Sequence, residues 1–168
     1  MIGAALALTY AIAAPASRGC SDPAFHVLDF WIGTWDVYVG NQRAGRDVVS
    51  TELNGCALIE RWTDADGSRG MSFFAYDPFS GRFRQTWVTE DPSSLGGLKY
   101  KTMIARLADG GVRFEGVLPS SPSQRPVLDR TTLTPMTGGS VHQVIENSVD
   151  GGEHWRVAFD AVYRRAER

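Results

Sequence analysis

The sequence predicts an all-β fold, an antiparallel up-and-down barrel of about ten strands with a short helical plug ahead of the first strand. Three observations predict it. From residue 34 onward the hydrophobic period is 2, and no amphipathic helix of ordinary length can be traced. Turn-forming pairs such as Asn54-Gly55, Asp66-Gly67, Ser80-Gly81 and Gly138-Gly139 recur at short intervals. The chain is also rich in glycine and tryptophan, with 18 and 5 residues respectively, as suits aromatic-bearing strands joined by tight turns.

The first 14 residues (MIGAALALTYAIAA) are small and apolar, and Ala14-Pro15-Ala16 places small residues where signal peptidase reads them. The expectation is a signal peptide over 1–16 and export to the periplasm or beyond. A buried helix is the competing reading, because no Lys or Arg precedes the apolar run. The run is too short to span a membrane, which takes about 20 apolar residues. Residues 17–24 then form an extension, and 25–168 the barrel domain. Cys20 and Cys56 are the two cysteines. In an oxidising compartment a disulfide between them is expected; lipid attachment at Cys20, or two free thiols, are the alternatives.

The one helical candidate is 25–31 (FHVLDFW), a turn or two that could close a barrel end. Strands are expected at 34–39, 47–53, 57–63, 71–76, 82–89, 99–107, 111–117, 127–134, 140–147 and 155–164. In the last, Trp155, Val157, Phe159, Ala161 and Tyr163 share one face and Arg156, Asp160 and Arg164 the other. Consecutive strands of even spacing favour closure into a barrel, which removes exposed edges.

Charge excludes one class of partner. A net charge of -2, with no basic stripe, argues against nucleic acid as a ligand. No later segment is long and apolar enough for membrane insertion as a helix. The three histidines, His26, His142 and His154, lack zinc-ligand spacing. His142 or His154 could be nominated as a haem ligand of the nitrobindin kind, but His154 falls in a turn, and no cofactor is expected. Neither a Gly-x-Ser-x-Gly elbow nor a phosphate-cradling loop is present.

Ser148-Val149-Asp150-Gly151-Gly152-Glu153-His154-Trp155 matches the Asp-box pattern Ser-x-Asp-x-Gly-x-x-Trp. A single copy cannot build a propeller, so Asp150 and Trp155 are read as stabilising the closing hairpin. Gly33-Thr34-Trp35, after a short helical turn, resembles the opening signature of lipocalins and other calycins. The resemblance implies that Trp35 caps one barrel end and that a basic residue of the last strand, Arg164 or Arg165, packs across its ring.

More broadly the chain is similar to a bacterial family of secreted, lipocalin-like proteins of the DUF1579 type. The similarity rests on 28–37 (LDFWIGTWDV), 55–62 (GCALIERW), Tyr76-Asp77-Pro78 with Gly81, 85–88 (QTWV) and the Ser-x-Asp-Gly-Gly segment. It implies the fold, and no activity comes with it.

Glu60, Gln85 and Gln143 alternate with apolar residues on faces that read as interior. With Trp62, Phe73 and Trp87 they would line a small-molecule pocket. A buried carboxylate needs a partner, and Arg106 or a tyrosine hydroxyl is expected for Glu60. Three functions stay open. The first is a binding protein for a small apolar or aromatic ligand. The second is a barrel enzyme of isomerase, cyclase or hydratase type with Glu60 as general acid or base. The third is a structural protein with a filled core, and oligomeric state is not legible.

Overall fold

The structure, a computed structural model, describes residues 20–119 and 125–167. The expected signal peptide and residues 17–19 of the expected extension lie outside the described residues. Ten strands are present: β1 Gly33–Val39, β2 Gln42–Glu52, β3 Ala57–Asp64, β4 Arg69–Asp77, β5 Arg82–Thr89, β6 Leu98–Arg106, β7 Val112–Leu118, β8 Val127–Pro135, β9 Val141–Ser148 and β10 Arg156–Arg165. Each pairs antiparallel with the next, and β10 returns to β1, giving a closed up-and-down barrel. An even number of strands makes the closing pair antiparallel as well, with Trp35 opposite Arg165 and Val37 opposite Tyr163.

The helical candidate resolves into two 3-10 turns, Pro23–His26 and Asp29–Trp31. Pro23 follows Asp22, whose carboxylate accepts the Ala24 amide at 2.8 Å. Leu28 and Trp31 are wholly buried and join Trp35, Val37, Phe74, Phe83, Phe114 and Tyr163 in the core. Trp31 meets Phe74 and Tyr163 edge to face, at 5.6 and 6.1 Å between ring centres, and its carbonyl accepts the Trp35 indole N–H at 2.9 Å. Cys20 and Cys56 form a disulfide across 36 residues, tying the segment before Pro23 to the β2–β3 connection.

Closure places Arg165, rather than Arg164, over Trp35: its guanidinium lies 4.0 Å from the indole, while Arg164 lies 4.6 Å from the ring of Tyr38. Of the two arginines that the resemblance offers, Arg165 takes this place and Arg164 does not, because Arg165 is the register partner of Trp35 and Arg164 that of Asp36. Gly33 makes room for it. At φ +152°, a Cβ there would collide with Nη1 of Arg165, the atom that donates to the Ile32 carbonyl at 2.8 Å.

The last strand departs from simple alternation. The β9–β10 register shifts between Val157 and Phe159, and the irregularity turns Val157 outward, 61% exposed, while Ala161 and Tyr163 stay buried. Trp155 is not on the inner face either. It lies beneath Arg130, whose guanidinium sits 3.9 Å from the ring, and donates to the Gly152 carbonyl at 3.0 Å. Asp150 does pin the hairpin, accepting the His154 amide at 3.0 Å and the Ser148 hydroxyl at 2.7 Å. These bonds hold its carboxyl well below the usual carboxylate range.

Candidate functional site

The core fills one end of the barrel, where Phe25 of the first 3-10 turn packs on Tyr76 and Tyr76 on Phe83. Along β5, from Phe83 toward Thr89, packing gives way to a cavity of about 440 Å³ bordered at its mouth by Ser94, Leu95, Gly96 and Gly97. Glu60, Trp62, Gln85, Trp87 and Gln143 all line it, as the alternation predicts. Phe73 does not. On β4 the inward residues are Ser72 and Phe74, so Phe73 faces outward at 44% exposure.

The aromatic walls depend on glycine. A Cβ on Gly45 would lie 2.6 Å from Cη2 of Trp62, and one on Gly70 would overlap the Trp87 ring. Each indole therefore lies against the backbone of a neighbouring strand, a close approach that only glycine permits. Phe159 meets Trp62 edge to face at 6.3 Å.

The cavity lining is far more charged than alternation suggests. Lys99 and Lys101 of β6 and Asp129 of β8 face the cavity. Lys99 Nζ lies 3.0 Å from Oδ2 of Asp129, Lys101 Nζ is in contact with Oδ1, and Asn147 donates to Oδ2 at 3.1 Å. Lys101 also donates to the Thr131 hydroxyl. These bonds span β7, which lies between β6 and β8 in the sheet. Gly116, opposite Asp129 on β7, has no side chain to obstruct the crossing; a Cβ there would strike the Tyr100 carbonyl and lie 3.2 Å from Cγ of Lys101.

Glu60 is buried, and desolvation raises its pKa from 4.5 to about 7, opposed by a hydrogen bond from Ser72 and by the charges of Lys101 and Lys99. Its expected partner Arg106 is exposed at the far end of β6. The partners come instead from β4 and from the two inward lysines. Ser72 in turn accepts from Gln85 Nε2 at 3.0 Å, and the Tyr163 hydroxyl donates to Gln143 Oε1 at 2.8 Å.

Asp47, a second buried acid, faces inward on β2 next to Trp35 and Trp62 in register. Neither of its carboxylate oxygens has a side-chain donor. Burial first, then the charge of Glu60, raise its pKa well above the ordinary value, which favours the neutral acid. Burial pushes both lysines down, Lys101 the further, with Lys99 adding repulsion at Lys101 and Glu60 opposing at both. The Asp129 carboxylate in contact with Lys101 favours its charged form as well. The Tyr163 phenol is held neutral by burial and by the nearby carboxyls.

Asp47, Lys99, Lys101 and Asp129 are the residues that sequence reasoning misses. On β6 the apolar set is Leu98, Tyr100 and Ile104, so the lysines read as the wet face. Yet Tyr100 is 56% exposed and Lys101 only 4%. In 47–50 (DVVS) each face carries one valine and one polar residue, which leaves the parity undecided. The available signal was Gly116 in mid-strand, a mark of close approach by another group.

Neither histidine nominated for haem reaches the interior. His142 pairs with Asp160 on the outer face at 2.6 Å, and His154 with Asp150 in the turn at 2.7 Å. Comparison with protein-family models gives no match, and comparison with curated proteins gives none either.

Proposed function

We propose that this protein binds a small amphipathic molecule inside its barrel, outside the cytoplasm. The observation that carries this reading is the cavity of about 440 Å³ lined by the rings of Trp62, Trp87 and Phe159 and by the ionisable side chains of Glu60, Lys99, Lys101 and Asp129. The volume suits a small organic ligand, and it counts against a structural role that depends on a filled core. Four ionisable residues in the lining also revise the ligand from largely apolar to two-ended, with a flat body against the indoles and a polar group against the charged side chains.

The Gly33–Trp35–Arg165 arrangement and the 3-10 turn whose Trp31 carbonyl accepts the Trp35 indole N–H support a lipocalin-like ancestry of the secreted, DUF1579-type kind. The disulfide is consistent with an oxidising compartment. With the apolar leader and Ala14-Pro15-Ala16 it supports export to the periplasm or the medium. Native mass spectrometry of protein recovered from its own periplasm tests the reading. A retained small molecule, displaced with quenching of Trp62 and Trp87 fluorescence, is the expected result. A bare protein whose fluorescence no aromatic small molecule perturbs would refute it.

Catalysis is the second reading, favoured by one observation: Glu60, with its pKa near 7, is suited to exchange protons at neutral pH. Glu60→Gln separates the two readings, since it abolishes proton transfer by this group while preserving its shape and hydrogen bonding.

A further inference from the structure

Two lysines of one strand converge on one carboxylate within the cavity. Asp129 is shared by Lys99, Lys101 and Asn147, and it supplies one negative charge against two positive ones. Glu60 is the other acid among the described residues that line the cavity. With both lysines protonated against Asp129, the four side chains sum to zero when Glu60 is ionised and leave one positive charge when it is neutral. The surplus is accessible at Lys99, whose side chain is 15% exposed against 2% for Lys101. Elsewhere in the lining, Gln143 accepts the Tyr163 hydroxyl through Oε1, so its amide N–H groups remain available as donors.

We infer that the ligand is a monocarboxylate with an aromatic body, its carboxylate seated against Lys99. The inference rests on the pocket reading above and names the chemistry of its occupant. A cation would bring a third positive charge against the two ammonium groups in a site with little water to screen them. A dianion would leave negative charge uncompensated beside Asp129. A single carboxylate restores neutrality, and Trp62, Trp87 and Phe159 offer the faces and edges on which an aromatic ring stacks.

The charge balance requires that anion and proton enter together. The groups facing Glu60 are Asp47 on β2, Ser72 on β4, Gln85 on β5, Lys99 and Lys101 on β6, Asp129 on β8, Gln143 on β9 and Tyr163 on β10. Burial raises Asp47 and Tyr163 and lowers Lys101, and Glu60, raised to about 7, is the acid in this set placed to change charge near neutrality. Below pH 7 it already carries its proton and the acid binds directly. Above, binding must draw one proton from solution, so affinity falls as pH rises.

The test uses three matched probes, 2-naphthoate, 2-naphthamide and 2-naphthylmethylamine, by titration calorimetry at about pH 6 and about pH 8 in buffers of differing ionisation heat. Naphthoate should bind on the order of tenfold more tightly at the lower pH. It should also take up about one proton per site at the higher pH, and exceed the amide by on the order of tenfold, as a charge-assisted contact does. In Glu60→Gln, naphthoate affinity should become independent of pH and proton uptake should vanish. Lys99→Met should abolish the preference for acid over amide; should that variant fail to fold, the pH profile and Glu60→Gln carry the test without altering a lysine. Equal affinity for acid and amide, or a pH-independent wild-type affinity for the acid, overturns the inference and leaves the pocket standing. Failure of all three probes to bind overturns both.

Discussion

Glu60→Gln should stabilise the protein at alkaline pH and leave it unchanged in acid. Burial raises the folded-state pKa of Glu60 from 4.5 to about 7. Between those two values the folded protein binds more protons than the unfolded chain, so stability must fall as pH rises through the interval. Below 4.5 both states are protonated and the group costs nothing. Above 7 both are ionised and the full cost of keeping a carboxylate in the barrel is present. At about 1.4 kcal/mol for each pH unit, the interval corresponds to about 3 kcal/mol. A neutral amide of the same shape avoids that cost. It also removes the charge that helps to raise Asp47, which acts in the same direction. The assay is urea unfolding of both proteins, disulfide intact, at about pH 4 and about pH 8. The curves should coincide in acid, with the variant about 3 kcal/mol more stable in base. A wild-type-to-variant difference that does not change with pH would refute the placement of Glu60 as a buried acid. A variant less stable at the higher pH would show that the lysines, rather than desolvation, dominate its environment.

Three further predictions follow from contacts at the plugged end and across β7. Reducing the Cys20–Cys56 bridge, which closes 36 residues, should lower stability by about 3–4 kcal/mol from the loop entropy released in the unfolded chain, seen in urea unfolding with and without reductant. Arg165→Ala should cost about 1 kcal/mol through loss of the stack on Trp35, and Arg164→Ala less; thermal unfolding of the pair checks the order, and the reverse order would contradict the closing register. Gly116→Ala should cost about 1–3 kcal/mol, because its Cβ meets the Tyr100 carbonyl backbone rather than a movable side chain. The same variant should also weaken any ligand whose binding depends on the Lys101–Asp129 contact, measurable by the naphthoate titration.

Much of the frame follows from local pattern. The ten strands fall where period-2 alternation and turn pairs place them, with ends shifted by a few residues. The largest difference is β2, which begins at Gln42 rather than near 47, because its first residues, Gln42 and Arg43, are exposed and carry no alternation. The site was legible where one face of a strand is plainly apolar. Glu60, Trp62, Gln85, Trp87 and Gln143 all line the cavity. It was illegible where adjacent residues are alike. Phe73 and Phe74 are equally hydrophobic, yet one is 44% exposed and the other 1%, and only the register with Ile59 and Leu58 on β3 sets which turns inward.

By itself, then, the sequence determined that the chain forms short antiparallel strands, that they suffice to close a barrel, and that two cysteines stand ready to bridge its start. Those properties depend on backbone preference, side-chain period and residue type, all of them local. Tertiary structure alone decided that Lys99, Lys101, Asp47 and Asp129 face inward. An ion is tolerated in an interior when a counter-charge or a proton compensates it. Here the compensation for β6 comes from β8 across Gly116, some thirty residues along the chain, a distance at which alternation within one strand carries no information.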